Sequence, residues 1–182
     1  MLYIMRHGRT DWNERNKLQG RTDIPLNAAG RKMAEEAAAV YKNVPLDVCY
    51  CSPLARARQT AEILLKNRNI PIITDDRLVE MSFGIYEGTE QSARALDCPI
   101  NILFKEPEKY KAVEGGESIE KLFERTGDFL RNVVEPQLED GKNIVIIGHG
   151  AMNSGIICQV RGLSTEHFWD AGINQCELLQ LK

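Results

Sequence analysis

The chain has 182 residues, of which 43% are hydrophobic and 27% are charged, proportions that are ordinary for a soluble globular protein. Its formal net charge is −3, whereas a general nucleic-acid binder is normally basic, so we expect no nucleic-acid partner. No run of 18 apolar residues occurs and no basic leader precedes an apolar region, so we expect neither a membrane span nor a signal peptide and place the protein in the cytoplasm.

Apolar runs and helical patterns alternate along the chain. Runs typical of buried strands lie at 2–5, 46–51, 70–74 and 143–147, and an alternating pattern lies at 173–181. Apolar residues at helical spacing predict helices over 28–42, 53–67 and 118–134. Ser52 and Pro53 are residue types preferred at the N-cap and the first position of a helix. The alternation predicts an α/β fold, a three-layer α/β/α sandwich around a mostly parallel sheet.

The least regular part of the chain runs from about residue 85 to residue 117. It holds prolines and a Gly-Gly pair among short helical patterns. Because a chain of this length can bury one large core, we expect a single domain over 1–182, with 85–117 as a small helical cap inserted over the sheet. Five apolar residues of the cap could line a pocket or, equally well, pack onto the sheet: Leu96, Ile102, Leu103, Phe104 and Tyr110.

Two of the predicted strands end in a histidine beside a glycine. Arg6-His7-Gly8 follows the first apolar run, and Gly148-His149-Gly150 follows the fourth. Doubly wound sheets bind ligands beyond the carboxyl ends of their strands, so the two imidazoles could converge on one site. Residues 1–32 carry seven Lys or Arg against three Asp or Glu, which suits a small anionic ligand. Taken singly, each histidine could equally be a buried structural residue.

These residue types could together cleave a phosphate ester. A neutral imidazole is a competent nucleophile toward phosphorus, and a phosphohistidine divides hydrolysis into two easier steps. Arg6 adjoins His7, and Arg56 lies near the start of a predicted helix, where a guanidinium and free N–H groups suit phosphate. Glu80 has apolar neighbours in sequence that favour its protonated form, which makes it the candidate acid. Arg56 and Glu80 could instead be surface charges.

The same mechanism requires no metal and no cofactor. The five cysteines form no CxxC pair, so we expect reduced thiols and no zinc site.

Six motifs occur in the order typical of one protein family. They are Arg6-His7-Gly8 with Thr10 and Asn13; Gln19-Gly20 with Asp23, Pro25-Leu26 and Gly30; the stretches 52–61 and 78–88; Gly115-Gly116-Glu117-Ser118; and Gly148-His149-Gly150. Together they resemble the signature of the histidine phosphatase superfamily, the phosphoglycerate mutase-like proteins, over nearly the whole chain. The pattern at 19–26 resembles the phosphatase branch, which includes the α-ribazole phosphatases and broad-specificity phosphatases.

The resemblance implies a role for each matching residue. His7 would be the phosphorylated nucleophile and Glu80 the proton donor. The phosphate and the substrate would be bound by Arg6, Arg56, His149, Asn13, Gln19, Gly20 and the backbone N–H of Ala151. Glu117 and Ser118 would mark the far pocket wall or the start of a helix, without a chemical role.

We therefore expect a metal-independent phosphomonoester hydrolase that acts through a phosphohistidine on a small phosphorylated metabolite. About 26 residues separate Gly88 from Gly115, so the cap is small and open to water, which favours hydrolysis over phosphoryl transfer. Transfer of the phosphoglycerate mutase type and a catalytically silent, phosphate-binding family member are the alternatives. The alternating segment 173–181 could be a sheet edge that pairs two copies as a homodimer.

A dinucleotide site is a further alternative from another class. Gly148-x-Gly150-x-x-Asn153 is one residue short of a dinucleotide fingerprint after a strand. No strand–helix–strand unit follows it, and the histidine between the glycines would have no explanation. We therefore favour the phosphatase interpretation.

Overall fold

Five strands form one sheet in the order β3-β2-β4-β1-β5, in a computed structural model that describes all 182 residues. The strands are β1 Leu2–Arg6, β2 Val48–Cys51, β3 Ile72–Thr74, β4 Ile144–Gly148 and β5 Leu178–Gln180. Strands β3, β2, β4 and β1 pair in parallel, and β5 pairs antiparallel with β1. The α/β class and the mostly parallel sheet are confirmed.

The helices lie between the strands. They are α1 Asp11–Glu14, α2 Ala28–Val40, α3 Ala55–Leu65, α4 Asn101–Lys105, α5 Ile119–Phe129, α6 Glu135–Glu139 and α7 Gly150–Arg161. A π-helical turn over Leu130–Val134 joins α5 to α6, and the N–H of Glu135 donates to the carbonyl of Leu130. Pro136, which follows, has no N–H to continue the α-helical pattern, so the bonding changes here.

Helices cover both faces of the sheet because successive strand residues point in opposite directions. Ile144 and Ile146 of β4 are fully buried in a core with α5 and α7. Val145 and Ile147 of the same strand are fully buried in a second core with α2 and α3. Burying such a side chain stabilises the fold by about 1.5–3 kcal/mol. The three-layer α/β/α sandwich is therefore confirmed.

Helix α3 begins at Ala55, so the prediction that Ser52 caps it and Pro53 is its first residue is wrong. The N-cap is Leu54, whose side chain makes no capping bond. The N–H of Ala55 instead donates to Oδ1 of Asp23 at 2.7 Å. A carboxylate from a distant loop thus takes the place of the local serine, whose hydroxyl is buried and accepts from the N–H of Leu54 at 3.3 Å.

Residues 85–117 contain α4 and short 3₁₀ turns but no strand. Leu103 and Tyr110 are buried in the core that includes α5 and α7, so for these two residues packing onto the sheet is the correct interpretation. Leu96 is 89% exposed and Ile102 is 39% exposed. The function of the segment as a cap stays a prediction.

The alternating segment 173–181 forms a strand only over Leu178–Gln180, at one edge of the sheet. Pairing of this edge with a second copy stays a prediction. None of the helices has both the length and the apolar character needed to cross a membrane.

Candidate active site

The register of β1 and β4 places the two histidines side by side. Arg6 is paired with Gly148, and the N–H of His7 donates to the carbonyl of Gly148 at 2.9 Å. The imidazole centroids of His7 and His149 are 5.2 Å apart, and both side chains are buried. The two strand ends thus meet, as the sheet topology requires of neighbouring parallel strands.

The hydrogen bonds of the two imidazoles determine which ring nitrogen is protonated. Nδ1 of His7 lies 2.7 Å from the carbonyl oxygen of Gly8, which can only accept, so Nδ1 carries the proton and Nε2 has a free lone pair. Nδ1 of His149 accepts from Nε of Arg56 at 3.1 Å, so the proton of His149 is on Nε2. Nε2 of His149 has no partner within the protein. The two histidines therefore offer a lone pair on Nε2 of His7 and an N–H without a partner on Nε2 of His149.

Both imidazoles are neutral near neutral pH. Burial lowers the pKa of His7 well below its ordinary value, and the positive charges of Arg56 and Arg6 lower it further. Burial likewise lowers the pKa of His149 well below its ordinary value, with Arg56 the next cause. A neutral imidazole is the form that can act as a nucleophile.

Arg56 is fully buried and is held by three acceptors. Besides Nδ1 of His149, its guanidinium donates to the carbonyl of Thr22 at 2.9 Å and to that of Gly20 at 2.7 Å. Burial lowers the pKa of Arg56 to about 10, so it remains charged at neutral pH. A guanidinium has five N–H groups, so about two remain for a ligand.

The loop that holds Arg56 is itself held by Glu87. The carboxylate of Glu87 accepts from the backbone N–H groups of Arg21 and Thr22, each at 3.0 Å, and from the hydroxyl of Thr22 at 2.6 Å. Gly20 has a φ of +54°, and a Cβ there would lie 2.1 Å from Oε1 of Glu87. Sequence reasoning gave Glu87 no role, although the motif at 78–88 contains it.

Asn13 and Gln19 are oriented with their amide nitrogens free. Oδ1 of Asn13 accepts from the N–H of Thr10 at 3.1 Å and from Nε2 of Gln175 at 2.9 Å. Oε1 of Gln19 accepts from the hydroxyl of Thr10 at 2.9 Å. The unused amide N–H groups are donors suited to an anion.

Arg6 has a buried Nε without a partner. Burial lowers the pKa of Arg6, and the negative charge of Glu80 opposes this. Arg6 thus offers a donor that the protein itself does not use.

Glu80 caps the N-terminus of α7, which differs from the apolar surroundings that its sequence neighbours predict. Oε1 accepts from the backbone N–H groups of Met81 and Met152, each at 2.9 Å, and Oε2 accepts from that of Ala151 at 3.2 Å. The expectation of an apolar setting is wrong, because the chain places the carboxyl group against N–H donors that stabilise a carboxylate. The N–H of Ala151, predicted to bind phosphate, is thereby occupied.

A cavity of about 290 Å³ lies over these groups. Its lining includes every predicted site residue except His149, which lies beyond the cavity surface beside His7. One wall is apolar and contains Phe83, Phe104 and Trp169. Of the five apolar cap residues proposed as lining, only Phe104 reaches the cavity. The prediction did not include Trp169, which stacks on Phe104 at 5.4 Å between ring centroids.

Glu117 and Ser118 lie outside the cavity lining. Ser118 is the N-cap of α5, as one of the two interpretations predicted, and Glu117 pairs with Arg125 at 2.8 Å and with Arg21 at 3.3 Å. No cluster of three or more His, Cys, Asp or Glu side chains could hold a metal ion, and all five cysteines are free thiols.

Comparison with known proteins identifies relatives over almost the whole chain. The model of the histidine phosphatase superfamily (branch 1) matches residues 2–182. The uncharacterized phosphatase PhoE of Bacillus subtilis (strain 168) is 34% identical over 173 residues, which cover 95% of this chain and 83% of that protein. A 2,3-bisphosphoglycerate-dependent phosphoglycerate mutase of Cytophaga hutchinsonii is 31% identical over 169 residues, which cover 91% and 79% of the two chains.

A solved structure shares the fold. The phosphoserine phosphatase of Entamoeba histolytica, in complex with 3-phosphoglyceric acid, superposes with a TM-score of 0.84 at 25% identity. The match covers 97% of this chain and 87% of that one.

Proposed function

The chain belongs to branch 1 of the histidine phosphatase superfamily and is an enzyme of that family, and from this premise we propose that it hydrolyses phosphomonoesters through a phosphohistidine on His7. One observation carries the proposal: the hydrogen-bond partners of the two neighbouring imidazoles assign their protons to opposite nitrogens. Nε2 of His7 has the lone pair that a nucleophile needs, while Nε2 of His149 has an N–H without a partner.

In the first step, Nε2 of His7 attacks phosphorus, the N–P bond forms and the bond to the leaving oxygen breaks. Negative charge accumulates on the phosphoryl oxygens, which need fixed donors. These would be the Nε2–H of His149, the free N–H groups of Arg6 and Arg56, and the amide of Asn13. The leaving alkoxide takes a proton from Glu80.

Glu80 must therefore carry a proton when the substrate binds. With a proton on Oε2, the carboxyl group keeps both 2.9 Å bonds to Oε1 and gives up only the 3.2 Å bond from Ala151. The N–H of Ala151 then becomes free to donate to a phosphoryl oxygen.

In the second step, water attacks the phosphorus of phosphorylated His7. The carboxylate of Glu80 takes a proton from this water, the N–P bond breaks, and its electron pair returns to Nε2. Phosphate leaves, and both groups regain the states in which they began.

The substrate that we propose is a small phosphorylated metabolite. A cavity of about 290 Å³ with cationic and amide donors on one side and aromatic rings on the other suits such a molecule. Phosphoryl transfer between phosphoglycerates is the second candidate, because the mutase relative is nearly as similar to this chain as the phosphatase relative is. Both reactions would share the same phosphohistidine.

The test is hydrolysis of p-nitrophenyl phosphate in excess EDTA by the wild type and by His7→Ala, with the exposed His167→Ala as control. We expect wild-type and His167→Ala activity to survive the chelator and His7→Ala activity to fall by at least about 10³-fold. Loss of activity with EDTA, or retention of activity in His7→Ala, would contradict the proposal. Conversion of 3-phosphoglycerate to 2-phosphoglycerate, measured with added 2,3-bisphosphoglycerate, tests the second candidate.

A further inference from the structure

A second cavity, of about 500 Å³, adjoins the active-site cavity. The two share three lining residues, Lys17, Leu18 and Phe104. The rest of the second wall is formed by Asn16, Gln91, Arg94, Leu96, Asn101 and Lys105. A ligand held by its phosphoryl group at His7 would have to pass these shared residues to occupy both spaces.

The second cavity is positively charged. It is lined by Lys17, Arg94 and Lys105, and no Asp or Glu contributes to its wall. Lys17 lies 3.9 Å from the carboxylate of Glu90, whereas Arg94 and Lys105 form no salt bridge. The positive charges of Arg94 and Lys105 are therefore not compensated by a salt bridge.

Arg94 has hydrogen-bonding capacity that the protein does not use. Its Nε and Nη1 are both buried and have no partner. Burial also lowers the pKa of Arg94. An anionic oxygen that reached this guanidinium would supply the acceptor that these buried donors lack within the protein.

Two of the three residues shared by the cavities, Leu18 and Phe104, are apolar, and the third is Lys17. The ring of Phe104 stacks on that of Trp169 with an interplanar angle of 23°. The surface formed by Leu18 and Phe104 favours an apolar or planar segment of a ligand.

We propose that the second cavity is a subsite for a second anionic group of the substrate, bound by Arg94 and Lys105. The inference rests on the proposed function, because it takes His7 as the position of the phosphoryl group. The substrate class is then an elongated phosphomonoester with an apolar or planar middle segment along Leu18 and Phe104. Its far end carries a carboxylate or a second phosphate.

The test measures binding and does not depend on turnover. The probes are non-hydrolysable benzylphosphonates that carry an arm of one to four methylenes, ending in a carboxylate or in the matched carboxamide. For the best arm length, isothermal titration calorimetry should show the carboxylate binding at least about tenfold more tightly than the carboxamide, as expected for a charged hydrogen-bonded group. A terminal phosphonate in place of the carboxylate shows which anion the subsite prefers.

Three variants test whether Arg94 and Lys105 cause the preference for the carboxylate. Arg94→Gln and Lys105→Gln should each reduce the ratio of the two affinities to about twofold or less. Arg31→Gln, an exposed site on α2 with the same change in charge, should leave the ratio unchanged. Equal affinity of carboxylate and carboxamide at every arm length, no binding of either, or a preference that both subsite variants retain would overturn the subsite. Hydrolysis of phenyl phosphate by the same preparations reports separately on the proposed function.

Discussion

The Nε–H of Arg56 donates to Nδ1 of His149 at 3.1 Å, which joins the first turn of α3 to the residue that precedes α7. The bond places the proton of His149 on Nε2. The imidazole cannot rotate without breaking this bond. Arg56 therefore contributes more than charge to the site, because it also determines what His149 can donate.

This relationship predicts that Arg56→Lys is not a conservative change. An ammonium cannot reproduce the planar set of bonds to His149, Thr22 and Gly20. We expect kcat/KM for p-nitrophenyl phosphate to fall about 10²–10³-fold and the free energy of unfolding to fall by about 2–4 kcal/mol. Urea denaturation and steady-state kinetics measure the two effects. Arg58→Lys, an exposed site on the same helix, is the control. A kcat/KM of Arg56→Lys within twofold of the wild-type value would show that Arg56 does not orient His149 in this way.

The proposed proton-donor role of Glu80 predicts an effect that depends on the leaving group. Glu80→Gln keeps an acceptor for the N–H groups at the start of α7 but has no transferable proton. For an alkyl phosphate, whose leaving oxygen needs a proton, kcat should fall about 10²–10⁴-fold. For p-nitrophenyl phosphate, whose leaving group is stable as an anion, the first step should be affected much less. Single-turnover measurements isolate that step, and equal slowing of both esters would exclude Glu80 as the donor.

Gly20→Ala should disturb the loop that holds Arg56. The new Cβ would meet the carboxylate of Glu87, which cannot move without losing its bonds to the loop. Gly162→Ala is a matched control, because Gly162 has a similar φ of +64° against +54° and no atom within 4 Å of an added Cβ. Both should lose about 1 kcal/mol of stability through backbone strain.

The comparison isolates the steric clash from the strain. Only Gly20→Ala should lose a further 1–3 kcal/mol or so, from the displaced hydrogen bonds, together with a lower kcat/KM. Thermal unfolding and p-nitrophenyl phosphate kinetics of the two variants give the result. Equal losses of stability and of kcat/KM in Gly20→Ala and Gly162→Ala would show that Glu87 does not hold the loop.

The two buried histidines predict how stability depends on pH. Burial holds the pKa of His7 and of His149 well below the value of about 6.5 that a histidine has in an unfolded chain. As pH falls through 6.5, the unfolded chain takes up protons at these positions while the folded chain does not. The free energy of unfolding should therefore be highest above that pH and fall below it, by up to about 1.4 kcal/mol per pH unit for each histidine.

Urea denaturation between pH 7.5 and pH 5.5 measures this slope. His7→Gln removes one of the two groups, so its slope in that range should be shallower than that of the wild type. A slope that is unchanged in His7→Gln would contradict the assignment of a neutral, buried imidazole to the folded state.

Local patterns in the sequence were sufficient for the five strands, for α2, α3 and α5, and for the candidate residues. The apolar run at 143–147 and the helical spacing in 28–42 are properties of neighbouring residues, and both elements formed. The glycines beside His7 and His149 marked the two strand ends, and the family motifs indicated Arg56 and Glu80. Local patterns did not predict which groups those residues contact. The cap of α3 comes from Asp23, and the carboxyl group of Glu80 caps α7.

Only the tertiary structure decided these contacts, the protonation of the imidazoles and the wall formed by Trp169. The bonds involved span 32 residues from Asp23 to Ala55, 72 from Glu80 to Met152 and 93 from Arg56 to His149. Periodicity reports on residues two to four positions apart, because those share a face of one strand or helix. Groups so far apart in sequence meet only once the strand order and register are set, and both depend on the packing of the whole chain.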